Sequence, residues 1–205
     1  MPAAVATQPE KKGVLEKKQP NTYSLLEYLK REEKSLHKHE FYNGQIVRMA
    51  GGSYNHNKIS AQIIIELGIS VKTLTRVYDI CSSDMKIYIP ESNHAVYPDA
   101  VVICEGPEFW GGRNDIILNP LVIVEVLSPS TEKYDKSMKF SEYKSIPSFK
   151  EYVLVRQDTY HIESWFREEE DLWRMRTVKD IGDTLLLKSL GCSISLKGVY
   201  GNLKL

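Results

Sequence analysis

One glutamate interrupts an otherwise aliphatic run, Leu121-Val122-Ile123-Val124-Glu125-Val126-Leu127. Odd and even positions are equally apolar, so the run has no wet face. A strand of this kind sits inside a sheet that is covered on both faces. A carboxylate at its centre is expensive unless something positive neutralises it. The run therefore asks for a layered fold and gives Glu125 two readings: a paired core residue, or a ligand of a cation.

The remaining pattern supplies the layers. Thr22 can cap a helix whose apolar stripe is Leu25, Leu26, Tyr28 and Leu29. Residues 40–49 read as a hairpin around Asn43-Gly44. Residues 55–74 carry Ile59, Ile63, Ile64, Leu67 and Val71 at helical spacing. Short β-rich runs follow at 77–81, 85–89, 96–104 and 121–127, then a lysine-rich helix at 131–145 that is expected to fold back across the sheet and bury Met138, Phe140 and Tyr143. Strands return at 152–155, 161–166 and 173–178, and two small ones close the chain. The order predicts one α+β (α/β-like) domain over 22–205, with a central mixed β-sheet flanked by helices. Residues 1–21 are polar and read as a flexible N-terminal tail, in which Lys11, Lys12, Lys17 and Lys18 cluster.

A second isolated carboxylate opens an apolar strand at Tyr97-Pro98-Asp99-Ala100-Val101-Val102-Ile103. If the two strands are neighbours, Asp99 and Glu125 share a face and repel each other. A divalent cation between them removes the repulsion, and oxygen ligands favour Mg²⁺ or Mn²⁺ over zinc. Such an ion can bind a phosphodiester oxygen, acidify a water and stabilise the leaving oxygen.

The segments around these carboxylates closely resemble one family. They are Pro98-Asp99; Asn119-Pro120 through Glu125-Val126-Leu127-Ser128-Pro129-Ser130-Thr131; Asp135, Lys139 and Tyr143; and Ile146-Pro147-Ser148-Phe149-Lys150-Glu151-Tyr152-Val153-Leu154-Val155. Together they resemble the Uma-type family of restriction-endonuclease-like proteins, within the PD-(D/E)XK nuclease superfamily. The resemblance covers about 22–200 and implies a restriction-endonuclease-like core. It also implies a metal-dependent endonuclease that hydrolyses DNA phosphodiester bonds with a metal-activated water. Asp99 and Glu125 would be its catalytic metal ligands. The superfamily places a lysine two residues after the glutamate, where this chain has Leu127. The resemblance implies that Lys139, on the following helix, takes that role. Asp135 and Tyr143 lie four residues to either side, so Asp135 can hold the Lys139 ammonium while Tyr143 packs its stem.

Accessory positions follow. Glu40 and His56 resemble family positions, one as a further carboxylate and the other as a phosphate contact. Lys86 would lie opposite Asp99 if 84–89 and 96–101 form a hairpin. Ser128, Ser130 and Thr131 lack a Gly-x-Ser-x-Gly elbow and read as a strand-to-helix turn.

Composition narrows the setting. Lys plus Arg and Asp plus Glu are 27 each, which argues against a uniformly basic DNA-coating protein but permits a local basic groove. Apolar runs stay well below the ~20 residues of a membrane span, and the first residues lack a secretory apolar core. Cys81, Cys104 and Cys192 are odd in number with no Cys-x-x-Cys pair, which suggests reduced thiols, no structural zinc and a cytoplasmic setting. DNA is the expected partner. The superfamily habit, with Trp110 and Trp165 read as exposed, suggests a homodimer. Two alternatives stand: a nuclease-fold protein that binds DNA or a partner without cutting, and a metal-dependent hydrolase of a small phosphoester.

Overall fold

The computed structural model describes residues 22–129, 132–201 and 203–205. The expected tail and its lysine cluster lie outside the described residues. Helix α1 (Leu25–Glu32) begins at a capping box between Ser24 and Glu27 and buries Leu25, Tyr28 and Leu29. Strands β1 (His39–Tyr42) and β2 (Gln45–Arg48) form the expected hairpin, with Asn43 and Gly44 both at positive φ. Helix α2 (Tyr54–Val71) is capped by Ser53 and buries Ile59, Ile63 and Leu67.

Then come β3 (Tyr78–Ser82), β4 (Lys86–Ile89), β5 (His94–Val96), β6 (Ala100–Cys104), β7 (Ile116–Ile117) and β8 (Val122–Leu127). A helical stretch follows: α3 (Glu132–Tyr134), a π-helical turn (Asp135–Lys139) and α4 (Phe140–Tyr143). The chain ends with β9 (Glu151–Arg156), β10 (Ile162–Arg167), β11 (Trp173–Val178), β12 (Thr184–Leu187), β13 (Cys192–Ser195) and α5 (Leu196–Tyr200).

The mixed α+β architecture is as expected, but the strands divide into two main sheets. One has the order β2-β1-β5-β4-β7 and the other β11-β10-β9-β8-β6-β3; β12 and β13 pair separately. Both large sheets are mixed, because β8 runs parallel to β9 and β4 parallel to β7. The expected strand 96–104 is in fact β5 and β6, one in each sheet. The break falls at Tyr97-Pro98-Asp99, where Pro98 has no N–H to give either ladder. Asp99 is thus the hinge between sheets.

Strand β8 is buried at every position, as its doubly apolar pattern requires. Val122, Val124 and Val126 face α2, α5 and the β12–β13 hairpin, within one core cluster. Ile123 and Leu127 face the second cluster, with Ile87, Val96, Phe140, Tyr143 and Phe149. Glu125 shares that second face, because side chains alternate along a strand.

Further sequence expectations change. The cap of α1 is Ser24 rather than Thr22, and Leu26 of the expected apolar stripe is exposed. The helix expected over 131–145 is broken by the π turn, and Met138, expected in the core, is 56% exposed while Phe140 and Tyr143 are buried. An extra residue in one turn rotates the later side chains relative to the earlier ones. Trp110 and Trp165 are half-buried rather than exposed, packed on Tyr88 and Phe140 respectively. The 84–89 strand pairs with β5, not with the Asp99 segment. Among the described residues no helix is long and apolar enough to cross a membrane.

Candidate active site

Asp99 and Glu125 line one cleft. Ala100 pairs with Val124 in antiparallel fashion, and Asp99 is the residue immediately before that ladder begins. The Val126 N–H donates to Asp99 Oδ2 at 2.7 Å and fixes the aspartate against β8. Glu125 is only 4% exposed. Burial pushes its carboxyl well above the ordinary carboxylate range; the Lys139 ammonium opposes this, and Asp135, Asp99 and Glu40 add to it.

The π turn delivers Lys139 to this carboxylate. Its Nζ lies 3.1 Å from Glu125 Oε1, 3.4 Å from Glu40 Oε1 and 3.5 Å from Asp135 Oδ1. Burial alone would lower the lysine pKa, but Glu125, Glu40 and Asp135 outweigh it and hold the group well above its usual value. Lys139 is therefore an ammonium among carboxylates.

Other side chains lock these groups. The Tyr143 hydroxyl, fully buried, donates to Glu125 Oε1 at 3.1 Å, the same oxygen that Lys139 touches. Glu40 comes from β1 in the other sheet; its Oε1 accepts the Tyr97 N–H at 3.2 Å and its Oε2 accepts the Tyr42 hydroxyl. His56, in the first turn of α2, places Nε2 3.3 Å from Asp99 Oδ2. The hydrogen bond to Asp99 raises the imidazole pKa, against the opposing effect of burial. Ser60, one turn further on, donates to Asp99 Oδ1 at 3.3 Å.

The structure thus gathers Asp99, Glu125, Lys139, Glu40, His56 and Asp135 into one cluster. It does not bring Lys86 there. Lys86 is buried with its Nζ 2.8 Å from Asp115 Oδ2 and over the Tyr97 ring, because β4 pairs with β5 and β7 rather than with the Asp99 segment. The sequence reading missed Tyr42, Ser60 and the direct role of Tyr143. Periodicity held a signal for two of them: Tyr42 is two residues from Glu40 on a strand, and Ser60 is four from His56 on a helix.

The cluster forms the floor of a cleft of about 540 Å³, bordered by Arg48, the loop 49–52, Tyr134 and Gln157. Among the described residues no group of three carboxylate, imidazole or thiol side chains forms a finished cation cage. The donor chemistry still fits a hard divalent cation. Four carboxylates, Glu40, Asp99, Glu125 and Asp135, line the cleft beside Lys139, His56 and Arg48. Among the described residues both side-chain donors to Glu125, Lys139 and Tyr143, bond Oε1. Asp99 and Glu125 would hold such an ion, and Glu40 is the next oxygen donor.

Comparison with known proteins agrees with this architecture. The family model Uma2, described as "Putative restriction endonuclease", matches residues 25–197. The Synechocystis protein sll1609 is 39% identical over 147 residues, which is 72% of this chain and 82% of its own length. A second Synechocystis protein, slr1290, is 34% identical over 183 residues, 86% of this chain and 90% of its own length. Among solved structures, "a putative nuclease belonging to DUF820 from Anabaena variabilis ATCC 29413" superposes with a TM-score of 0.65 at 16% identity. It covers 87% of this chain and 97% of that one.

Proposed function

The chain belongs to the Uma2 family, and from that premise we propose that it is a metal-dependent endonuclease that hydrolyses DNA phosphodiester bonds. The observation that carries the reading is the Asp99–Glu125 pair, with Lys139 against Glu125, on the floor of an open cleft. Asp99 and Glu125 would hold Mg²⁺ or Mn²⁺, which when bound would supply Lewis acidity toward a phosphodiester oxygen and toward a water.

The chain's own residues do the rest. Tyr143 and Lys139 fix one Glu125 oxygen, so the carboxylate cannot rotate away from its ligand. Lys139 places positive charge where the phosphorane-like transition state gains negative charge. Asp135 and Glu40 hold its Nζ from two further sides. His56 orients Asp99 through Oδ2. Cutting both strands of a duplex takes two such sites, so the reading includes a homodimer, which sedimentation of the DNA-bound protein checks.

The test is relaxation and linearisation of supercoiled plasmid with Mg²⁺ or Mn²⁺. Cleavage that appears with the ion and stops with chelator is expected. No cleavage, together with retained DNA binding, would favour the non-cutting alternative. Cleavage of only a small phosphodiester would favour the phosphoesterase.

A further inference from the structure

The cleft continues past Asp99. A second lobe of about 490 Å³ shares Arg48, the loop 49–52, His56, Tyr97 and Asp99 with the first. The two lobes differ in charge. Four carboxylates line the first, whereas Asp99, on the shared wall, is the single carboxylate of the second among the described residues. Lys38, Arg48, His37 and His56 also line the second lobe.

Arg48 stands out. It is exposed at the end of edge strand β2, lines both lobes and forms no ion pair among the described residues. Arg113, Arg156 and Arg174 are held by carboxylates, and Arg31, Arg167 and Arg176, which like Arg48 form no ion pair among the described residues, line neither lobe. Lys38 pairs at 2.6 Å with the exposed Asp84 and donates to the Ser83 carbonyl at 2.7 Å, which holds its ammonium at the rim of this lobe. The backbone of the shared loop runs close to His56: a Cβ on Gly52 would meet Nδ1 at 2.9 Å. A glycine there lets the loop that follows Arg48 approach His56.

A nucleic-acid strand brings more than one phosphate. The carboxylate-rich lobe tolerates a phosphate only beside a bound cation, because its remaining field is repulsive. Flanking phosphates need a lobe of the opposite sign. We propose that the second lobe is the subsite for the DNA backbone next to the cut, with the Arg48 guanidinium as its grip. A planar guanidinium suits this role, since it can donate two parallel hydrogen bonds to a phosphate. The inference rests on the nuclease reading above.

The test compares wild type, Arg48→Ala and Arg48→Gln, with Arg76→Ala as a control outside both lobes. Fluorescence anisotropy of a labelled DNA duplex is read in Ca²⁺ over a salt series, and Mn²⁺ affinity is measured in parallel. Both Arg48 variants should weaken DNA binding about tenfold or more and lower the salt slope by about one, with Mn²⁺ affinity unchanged. The control should bind as wild type does. If wild type binds DNA and Mn²⁺ and the Arg48 variants bind DNA equally well, the subsite is wrong and the nuclease reading stands. If wild type binds neither, the nuclease reading falls and the subsite with it.

Discussion

Tyr143 donates its hydroxyl to the same Glu125 oxygen that the Lys139 ammonium touches, each at 3.1 Å. Burial, then Glu125 itself, pushes the Tyr143 pKa well above its usual value, so the hydroxyl keeps its proton and remains a donor. Tyr143→Phe removes that hydrogen bond and keeps the ring packed on Phe149 and Tyr152. The cost in stability should be about 1 kcal/mol, with a larger proportional loss in cleavage rate than in Mn²⁺ affinity. Denaturant midpoints and turnover numbers on one preparation check this.

Lys139 and Lys136 separate charge at the site from charge nearby. Lys136 is held by Glu163 at 2.8 Å and Glu132 at 3.3 Å, away from the cluster. Lys139→Met should abolish cleavage and keep Mn²⁺ binding, because lysine ligates nothing. It also strips the buried Glu125 of its cation, which costs about 3–5 kcal/mol in metal-free protein. Mn²⁺ should restore part of the lost thermal stability. Lys136→Met should cut like wild type. A dead Lys136→Met beside an active Lys139→Met would reverse the assignment.

The buried carboxylates of the site were within reach of the sequence, for a physical reason. Glu125 in an aliphatic run and Asp99 at the head of another mark buried carboxylates, and buried carboxylates need partners. Spacing places Asp135, Lys139 and Tyr143 on one helix face, but it does not separate Lys139 from Lys133, Lys136 and Lys144; the choice of Lys139 rests on the family resemblance. The π turn was not legible, because backbone hydrogen-bond shifts leave no periodic trace in so short a segment; Met138 was misplaced for that reason. Pro98 carried a signal for the change of sheet that the apolar pattern on either side obscured. Lys86 reads as a site residue only if its strand is paired wrongly.

The Lys86–Asp115 pair gives a pH prediction. Hydrogen bonding to Arg113 first, and to Lys86 with it, against opposing burial, depresses the Asp115 carboxyl to about 2. A depressed carboxylate stabilises the fold above its unfolded pKa and loses that contribution as pH falls through the folded value. Wild type should therefore lose this increment between about pH 4 and about pH 2. Asp115→Asn should be less stable at neutral pH, because it leaves the buried Lys86 ammonium without its carboxylate, and should show a shallower decline over that window. Urea midpoints across the acid range check it; equal slopes in both proteins would count against the pair.

The central claim is that Asp99 and Glu125 jointly hold a divalent cation. The most direct measurement is titration of Mn²⁺ into wild type, Asp99→Asn and Glu125→Gln, followed by electron paramagnetic resonance of the free ion. Both substitutions keep side-chain size and remove one carboxylate charge. Saturable binding by wild type, weakened about tenfold or more in each variant while circular dichroism stays unchanged, is the predicted result. Wild-type affinity in either folded variant, or no saturable binding by wild type, would contradict it.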